Sequence, residues 1–312
     1  MIQQLQYRNT SVPPVLSRLE SATLDLIWLE LTRKCNLQCM HCYADSDPSL
    51  ALVGAMTLEN WKTALLDARQ LGCQRVQFIG GEVLLVPYLE ALVQESRALE
   101  YSSVEVFTNA TVVTSKTIEY FKQYGVRVAT SFYSCDAAVH DSITQTPGSW
   151  NKTVQALAKL QEAELLVRVG VITSAANEHG LDDTLAFVRR IGITDVGVDR
   201  VRSIGRGQAL GRGEGYPSEL CGQCGRARLC ITAEGDVLPC IMARQTRLGN
   251  WLNAGGLEHC ISWSELASFR ADLADAKRRR GDGFDIDQAN CTPDCWPHGG
   301  CAPHDICKPH GK

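Results

Sequence analysis

The segment Cys35-Asn-Leu-Gln-Cys39-Met-His-Cys42 directly follows an apolar run, DLIWLELT, at positions 25–32. A run of this length and composition is typical of a buried β-strand. The three cysteines therefore fall in the loop at the carboxyl end of the first strand. In barrels built from alternating strands and helices, the chemistry is located at that end of the strands. The segment thus predicts a reactive centre in the first loop of such a fold.

Strand-like and helix-like segments alternate along the chain from residue 25 to 202. The strands are predicted at 25–32, 75–80, 104–109, 126–133, 165–173 and 194–202. Six such units in succession imply a parallel sheet with right-handed crossovers. The strands read as near-continuous apolar runs, which indicates that both faces of the sheet are covered. A closed barrel would need two more units, so we predict an α/β fold with a partial, open (β/α)6 TIM barrel.

Capping residues locate several helix ends within this region. Thr57 is predicted to cap the helix after the first strand, and Gly72 is predicted to end it. Ser149 is predicted to cap the helix before the fifth strand. The segment His140-Asp141, after the fourth strand, is interpreted as part of a loop.

The composition changes after the sixth predicted strand. LCIT and VLPC flank AEGD at 233–236, which predicts a β-hairpin with Gly235 in its turn. A helix is predicted at 262–280. The expected organisation is an N-terminal extension at 1–24, the barrel at 25–202, a glycine-rich linker at 203–220 and a small cysteine-rich domain at 221–312.

The overall composition excludes several classes of protein. Hydrophobic residues make up 45% of the chain and charged residues 21%, which is the balance of a folded globular protein. The net charge of −4 gives no basis for binding nucleic acid. No apolar run approaches the roughly 20 residues that span a bilayer, and the N-terminus lacks the features of a secretory signal. We expect a cytoplasmic protein without membrane contact.

Fourteen cysteines are the outlying feature of the composition. In a cytoplasmic chain of this length they indicate metal ligands or catalytic thiols rather than disulfides. Three thiolates, those of Cys35, Cys39 and Cys42, suit a 4Fe–4S cluster because they leave one iron open for a bound substrate. A closed zinc site would need a fourth ligand, for which His41 is the nearest candidate.

The pattern Cys-x3-Cys-x2-Cys after a first barrel strand resembles the radical SAM superfamily, and the resemblance covers residues 25–202. It implies a 4Fe–4S cluster that binds S-adenosylmethionine. His41 takes the position that is aromatic in the family and contacts the adenine. Gly80, Gly81 and Glu82 match the family's Gly-Gly-Glu motif at the end of the second strand. In that motif the backbone approaches the ligand closely, and the carboxylate pairs with the methionine ammonium group.

Other positions match the family less specifically. Thr108 and Asn109 end the third strand, where the family contacts the ribose. Ser131 on the fourth strand and Arg168 on the fifth fall where the family places polar contacts to the ribose or the methionine carboxylate. Asp199, near the barrel mouth, is the candidate catalytic residue, with a structural ion pair as the alternative.

The C-terminal cysteines resemble a SPASM or twitch domain, which carries auxiliary iron–sulfur clusters. By this resemblance, the ligands of a first auxiliary 4Fe–4S cluster would be Cys221, Cys224, Cys240 and Cys307, and those of a second would be Cys291, Cys295 and Cys301. The spacings in the second half are stretched relative to the family pattern. The identity of a fourth ligand for the second cluster is therefore open. Two alternatives are a twitch-like domain with one auxiliary cluster and a domain that binds zinc. Cys230 and Cys260 are expected to pack in the core, with a role as fourth ligand of the second cluster as the alternative.

The resemblance also implies a reaction and its partners. One-electron cleavage of S-adenosylmethionine gives methionine and a 5′-deoxyadenosyl radical, which removes a hydrogen atom from the substrate. Members with this type of C-terminal domain crosslink or epimerise ribosomally made peptides, so a peptide substrate is expected. Only residues 1–24 precede the first predicted strand. A separate leader-peptide recognition protein is therefore expected, together with an electron donor such as flavodoxin or ferredoxin.

Two other functions fit the same residues. One is a radical SAM dehydrogenase or epimerase that acts on a small molecule, such as an aminocyclitol or a sugar. The other is a non-catalytic iron–sulfur or zinc-binding protein that transfers electrons.

Overall fold

The structure is a computed structural model that describes residues 24–210 and 216–279. Within these residues, nine strands form one sheet in the order β6-β5-β4-β3-β2-β1-β7-β8-β9. The strands of the barrel are β1 Leu26–Glu30, β2 Arg75–Ile79, β3 Ser103–Phe107, β4 Arg127–Phe132, β5 Val167–Thr173 and β6 Asp195–Arg200. Each pairs in parallel with the next. The predicted partial barrel with six parallel strands is therefore confirmed.

Helices connect these strands. They are α1 Leu58–Gln70, α2 Leu89–Ala98, α3 Ser115–Gln123, α4 Ala137–Thr144, α5 Ser149–Glu162 and α6 Leu181–Arg190. Thr57 caps α1 as predicted, since its hydroxyl accepts a hydrogen bond from the Asn60 N–H. Gly72 follows the end of α1 with a φ of 88°, the left-handed conformation that glycine adopts without strain. In the described part of the chain, no helix is long and apolar enough to cross a membrane.

Two expectations about the region after β4 are wrong. His140 and Asp141 belong to α4 rather than to a loop. The position that caps α5 is Gly148, not Ser149. The Asp141 carboxylate instead accepts hydrogen bonds from the Gly148 N–H at 2.6 Å and the Trp150 N–H at 2.8 Å. A side chain on the preceding helix therefore satisfies the free N–H groups at the start of α5, where a local cap was expected.

The barrel sheet has one apolar face, which packs against the helices. Because register partners in a sheet project to the same side, the pairings place together the series Ile27, Val76, Val104, Val128, Val167 and their neighbours two residues along each strand. Phe132, in this series, stacks on Phe187 of α6 at 5.8 Å between ring centroids. Burial of this valine-rich face is the main hydrophobic contribution of the barrel to stability.

The other face is largely polar. Its residues include Trp28, Glu30, Gln77, Glu105, Ser131, Arg168 and Asp199, with Gly170 and Gly197 beside them. The expectation that both faces of the sheet are covered is confirmed, because residues of both faces are buried along β1, β2, β4 and β5 except at strand ends. The strands alternate with a period of two, and their polar positions line the concave side of the barrel.

The predicted hairpin extends the barrel sheet instead of forming a separate layer. β7 Arg228–Ile231 pairs in parallel with β1, with Trp28 opposite Cys230. β7 and β8 Asp236–Leu238 form the antiparallel hairpin, and Gly235 lies in its turn with a φ of 84°. All five residues of β1 are buried between β2 and β7. The cysteine-rich segment and the barrel thus share one hydrogen-bonded sheet.

Four further elements follow this hairpin in the described C-terminal part of the chain. They are β9 Gly249–Asn250, α7 Trp251–Ala254, α8 Leu257–Cys260 and α9 Trp263–Arg279. The helix predicted at 262–280 is confirmed as α9. Cys291, Cys295, Cys301 and Cys307 lie outside the described residues.

Part of the segment predicted as a linker is folded onto the barrel. Residues 203–210 include a short helical turn at Gly205–Ala209. The Arg206 N–H donates to the carbonyl of Cys42 at 3.0 Å. The first half of this segment therefore belongs to the packing around the cysteine loop.

The close approach of β9 to α8 generates a test of this packing. A Cβ on Gly249 would lie 1.6 Å from the carbonyl oxygen of Cys260, whereas one on Gly180 would have nothing within 4 Å. We expect Gly249→Ala to lower the free energy of unfolding by about 1–3 kcal/mol, since backbone must move to make room. The midpoint of urea unfolding should fall, while the dependence of the unfolding free energy on urea concentration (the m-value) should stay unchanged. Equal midpoints for Gly249→Ala and the control Gly180→Ala would refute this packing.

Candidate active site

The loop after β1 carries Cys35, which is buried, and Cys39 and Cys42, which are half-buried. The backbone N–H groups of Gln38 and Met40 donate to carbonyls at the end of α4, at 3.2 and 3.0 Å. The helix that the sequence did not predict therefore anchors the cysteine loop.

The thiols of this loop are held in a low-dielectric environment. The Leu37 N–H donates to Cys35 Sγ, and the Ser46 N–H donates to Cys42 Sγ, both at 3.4 Å. Burial, followed by the negative charge of Glu82, raises the pKa of Cys35 to about 12. The Cys35 thiol is thus neutral at pH 7 without metal and must release a proton to bind iron.

The donor set fits an iron–sulfur cluster better than a single ion. Among the described residues, no group of three or more His, Cys, Asp or Glu side chains is arranged to hold one metal ion. A 4Fe–4S cluster does not need that arrangement, because each thiolate binds a different iron. His41, the candidate fourth zinc ligand, packs edge-on against Tyr133, with 4.9 Å between ring centroids. Three soft thiolates in one loop are the ligands that iron–sulfur clusters select.

Gly80 and Gly81 lie directly against the backbone that leads into this loop. A Cβ on Gly80 would lie 2.7 Å from the carbonyl oxygen of Thr32, and one on Gly81 would lie 2.2 Å from that of Lys34. The Gly81 N–H donates to the Thr32 carbonyl at 2.7 Å, and the Glu82 N–H to the Lys34 carbonyl at 2.9 Å. The glycines are therefore required for protein packing, in addition to any approach to a ligand.

Glu82 is fully buried, and its carboxylate accepts three hydrogen bonds. The Thr108 hydroxyl donates to Oε1 at 2.7 Å, the Leu84 N–H to Oε1 at 2.9 Å, and the Asn109 N–H to Oε2 at 2.8 Å. Burial raises the pKa of Glu82, and these hydrogen bonds oppose the rise. A carboxylate has about four acceptor positions, so one is left for a ligand.

Asn109 connects the end of β3 to the cysteine loop. Its side-chain amide donates to the Asn36 side chain at 2.9 Å and contacts Cys35 Sγ at 3.6 Å. Its side-chain oxygen, Oδ1, accepts from the Thr111 hydroxyl at 2.6 Å. The structure therefore brings the predicted residues Glu82, Thr108 and Asn109 together beside Cys35.

His41 and Ser131 meet at Tyr133, a residue that sequence reasoning missed. The Tyr133 hydroxyl is hydrogen-bonded to Ser131 and to Cys39. Burial, reinforced by the positive charge of Arg206, lowers the pKa of His41 to about 4, so its ring is neutral. The position of Tyr133 just past the carboxyl end of β4, two residues after Ser131, could have indicated that it belongs to the site.

The structure does not bring Arg168 to this group. Arg168 is the second residue of β5, near the amino end of the strand. Its guanidinium binds the Glu105 carboxylate through two hydrogen bonds, at 2.8 and 2.7 Å. A contact with S-adenosylmethionine at the carboxyl ends of the strands is therefore not supported, because the side chain is paired at the other end.

Asp199 is the partner of an arginine. Its carboxylate binds Arg202 at 3.1 Å, and both side chains are about one-tenth exposed. It also accepts from the Arg200 N–H at 2.8 Å. This geometry favours the structural ion pair over a catalytic role for Asp199.

Three of the downstream cysteines come together. Cys224 and Cys240 are buried with their Sγ atoms 2.7 Å apart, and Cys221 is hydrogen-bonded to Cys224. Cys230 and Cys260 are buried within the main hydrophobic core, as expected for packing. The second, tail-based set of proposed ligands lies outside the described residues.

A buried ion pair connects the last residue of β1 to the segment that follows Cys240. Arg244, four residues after Cys240, binds both carboxylate oxygens of Glu30 at 2.7 and 3.0 Å. Its guanidinium also lies 5.8 Å from the ring centroid of Tyr43, next to Cys42. Sequence reasoning missed this pair, although a glutamate at the end of an apolar strand was a signal for it.

Comparisons with known proteins identify the family of this chain. The model of the Radical SAM superfamily matches residues 29–189, about half of the chain, and the chain belongs to that superfamily. It is 29% identical over 186 residues to the antilisterial bacteriocin subtilosin biosynthesis protein AlbA of Bacillus subtilis, covering 58% of this chain and 40% of AlbA. It is 27% identical to the mycofactocin maturase MftC of Mycobacterium tuberculosis, covering 84% of this chain and 76% of MftC.

The chain spans less than half of some relatives, including 43% of the sporulation killing factor maturation protein SkfB of B. subtilis. Among solved structures, Streptococcus suis SuiB bound to S-adenosylmethionine has the same fold, with a TM-score of 0.66 at 16% identity. That match covers 80% of this chain and 68% of SuiB.

The aromatic cluster behind the cysteine loop predicts a pH dependence. His140 in α4 lies 5.2 Å from the Tyr133 ring, and burial lowers its pKa to about 4. In the unfolded chain a histidine has a pKa of about 6.5. Between about pH 4 and about pH 6.5 the unfolded chain therefore binds more protons than the folded protein does. Stability therefore falls as the pH falls from about 6.5 to about 4.

We expect His140→Leu to remove about 2 kcal/mol of the stability difference between pH 7 and pH 5, measured by urea unfolding. The matched control is His179→Leu, because His179 is exposed. This control variant should show the same loss of stability between pH 7 and pH 5 as the wild type. An unchanged difference in His140→Leu would contradict a buried, neutral His140.

Proposed function

We propose that this chain is a radical enzyme that crosslinks or epimerises a ribosomally synthesised peptide. The observation that carries the proposal is the loop of Cys35, Cys39 and Cys42 at the carboxyl end of β1, beside the buried carboxylate of Glu82. Relatives named for bacteriocin biosynthesis and mycofactocin maturation support a peptide substrate. SuiB, which has the same fold, is bound to the precursor peptide SuiA in a further structure.

Cys35, Cys39 and Cys42 would hold the 4Fe–4S cluster, because three soft thiolate ligands suit such a cluster. When bound, the cluster supplies the open iron and the electron for cleaving S-adenosylmethionine to a 5′-deoxyadenosyl radical. Glu82 would accept a hydrogen bond from the methionine ammonium group at its remaining acceptor position. Thr108, which donates to Glu82, holds that carboxylate in place.

The residues around the loop would orient the nucleoside. The neutral ring of His41 offers an apolar surface to the adenine, next to the buried Tyr133. Asn109 and Ser131 offer polar groups for the ribose, at the ends of β3 and β4. Burial of this region excludes water, which protects a reactive intermediate from side reactions.

The downstream cysteines would bind auxiliary clusters. Cys221, Cys224 and Cys240 would hold one 4Fe–4S cluster together with Cys307, and Cys291, Cys295 and Cys301 would hold a second. The proximity of the first three side chains supports the first of these. Such a cluster can accept the electron released when a crosslink forms. We further propose a separate leader-peptide recognition protein and a flavodoxin or ferredoxin as partners.

Cleavage of the cosubstrate gives the direct test. Anaerobically reconstituted protein with S-adenosylmethionine and dithionite should form 5′-deoxyadenosine, measured by chromatography. Cys39→Ala should abolish product, since an iron loses its ligand. Cys135→Ser, at an isolated half-buried cysteine, should retain it. Absence of product from wild-type protein with a reconstituted cluster would falsify the enzymatic function.

A second variant tests the auxiliary site. Cys224→Ala should lower the bound iron by about four atoms per chain. It should spare formation of 5′-deoxyadenosine and impair formation of the modified peptide. Iron content equal to that of the wild type would show that Cys224 binds no cluster, and wild-type turnover would remove that cluster from the mechanism.

A further inference from the structure

A single arginine from beyond the barrel strands contacts the cysteine loop at three points. The Arg206 Nε–H donates to the carbonyl of Cys39 at 2.9 Å, and an Nη2–H donates to the carbonyl of Ser46 at 2.8 Å. Its backbone N–H donates to the carbonyl of Cys42 at 3.0 Å. Two of these acceptors belong to the proposed cluster ligands themselves. The side chain thus spans the loop from its second cysteine to four residues past its third.

The residues on either side of Arg206 make this approach possible. Gly205 has a φ of 56°, and a Cβ there would lie 2.5 Å from the carbonyl oxygens of both Cys42 and Tyr43. A Cβ on Gly207 would lie 2.3 Å from the Arg202 carbonyl oxygen. Only glycine fits such contacts without backbone movement. The Gly-Arg-Gly sequence is therefore shaped to bring one guanidinium group against the loop.

The charge of this group acts on the same loop. Three thiolates outweigh the charge of an oxidised 4Fe–4S core, so the bound unit is anionic and becomes more so on reduction. A half-buried cation at hydrogen-bond distance from the Cys39 carbonyl stabilises the more negative state by a larger amount. Its effect on a bound cluster is therefore to raise the reduction potential.

We propose that Arg206 is a positioning residue of the cluster-binding loop, which fixes the path of the loop and favours reduction of the cluster. This inference rests on the proposed function, since it requires a cluster on Cys35, Cys39 and Cys42. It gives residues 205–207 a role in the radical reaction that lies outside the three-cysteine and Gly-Gly-Glu motifs.

Two variants separate the charge from the hydrogen bonds. Arg206→Lys keeps the charge and loses the planar fork, whereas Arg206→Gln loses the charge and keeps a donor. Arg189→Met, at an exposed arginine of α6, is the control for loss of a surface cation. The readouts are iron content, the midpoint potential of the EPR signal that S-adenosylmethionine perturbs, and the rate of 5′-deoxyadenosine formation. Because only the cluster with the open iron binds S-adenosylmethionine, this signal distinguishes that cluster from any auxiliary cluster.

We expect Arg206→Gln to lower the midpoint potential and to reduce 5′-deoxyadenosine formation about tenfold or more, because misplacing reacting groups is costly. Arg206→Lys should keep the wild-type potential and recover part of the rate. Loss of iron from Arg206→Gln with retention in Arg206→Lys also supports the inference. Wild-type potential, iron content and rate in Arg206→Gln would overturn it. Failure of the wild type to bind a cluster responsive to S-adenosylmethionine would overturn the proposed function as well.

Discussion

The carboxyl edge of the barrel depends on the contact of Gly80 and Gly81 with the backbone at Thr32–Lys34. This contact sets the direction in which the chain leaves β1 and therefore the start of the cysteine loop. It also places Glu82 inside the protein, where its carboxylate binds the end of β3 through Thr108 and Asn109. Three strand ends are thus fixed by protein hydrogen bonds alone. The surroundings of the Glu82 carboxylate are therefore preorganised beside Cys35.

Local patterns were sufficient to predict much of this arrangement. The six strands and most of their connecting helices follow from hydrophobic periodicity and from caps such as Thr57, because both signals lie within a few residues in the sequence. The convergence of Glu82, Thr108 and Asn109 follows from the rule that strand ends of a parallel sheet meet at one edge. The prediction for Arg168 rested on its strand and not on its position along that strand. As the second residue of β5, it lies at the far end of the barrel.

Contacts between distant segments could not be predicted in this way. The pairing of β7 with β1 joins residues about two hundred positions apart, and no periodicity in either strand specifies its neighbour. The same is true of Arg206, which lies in a stretch whose glycines indicated a linker. Those glycines are there because the backbone approaches the cysteine loop. The short helix α4 was missed because eight residues give too few turns for a clear amphipathic pattern.

The position of β7 beside β1 has a consequence for any attempt to divide the chain. The family model matches residues 29–189, and a cut after β6 would keep all six parallel strands of the barrel. Such a cut would remove β7 and leave β1, Leu26–Glu30, as an exposed edge of five otherwise buried residues. An apolar, unpaired edge of this kind is a template for pairing with other chains. The barrel alone is therefore prone to aggregate, and the cysteine-rich hairpin covers the edge that would pair with other chains.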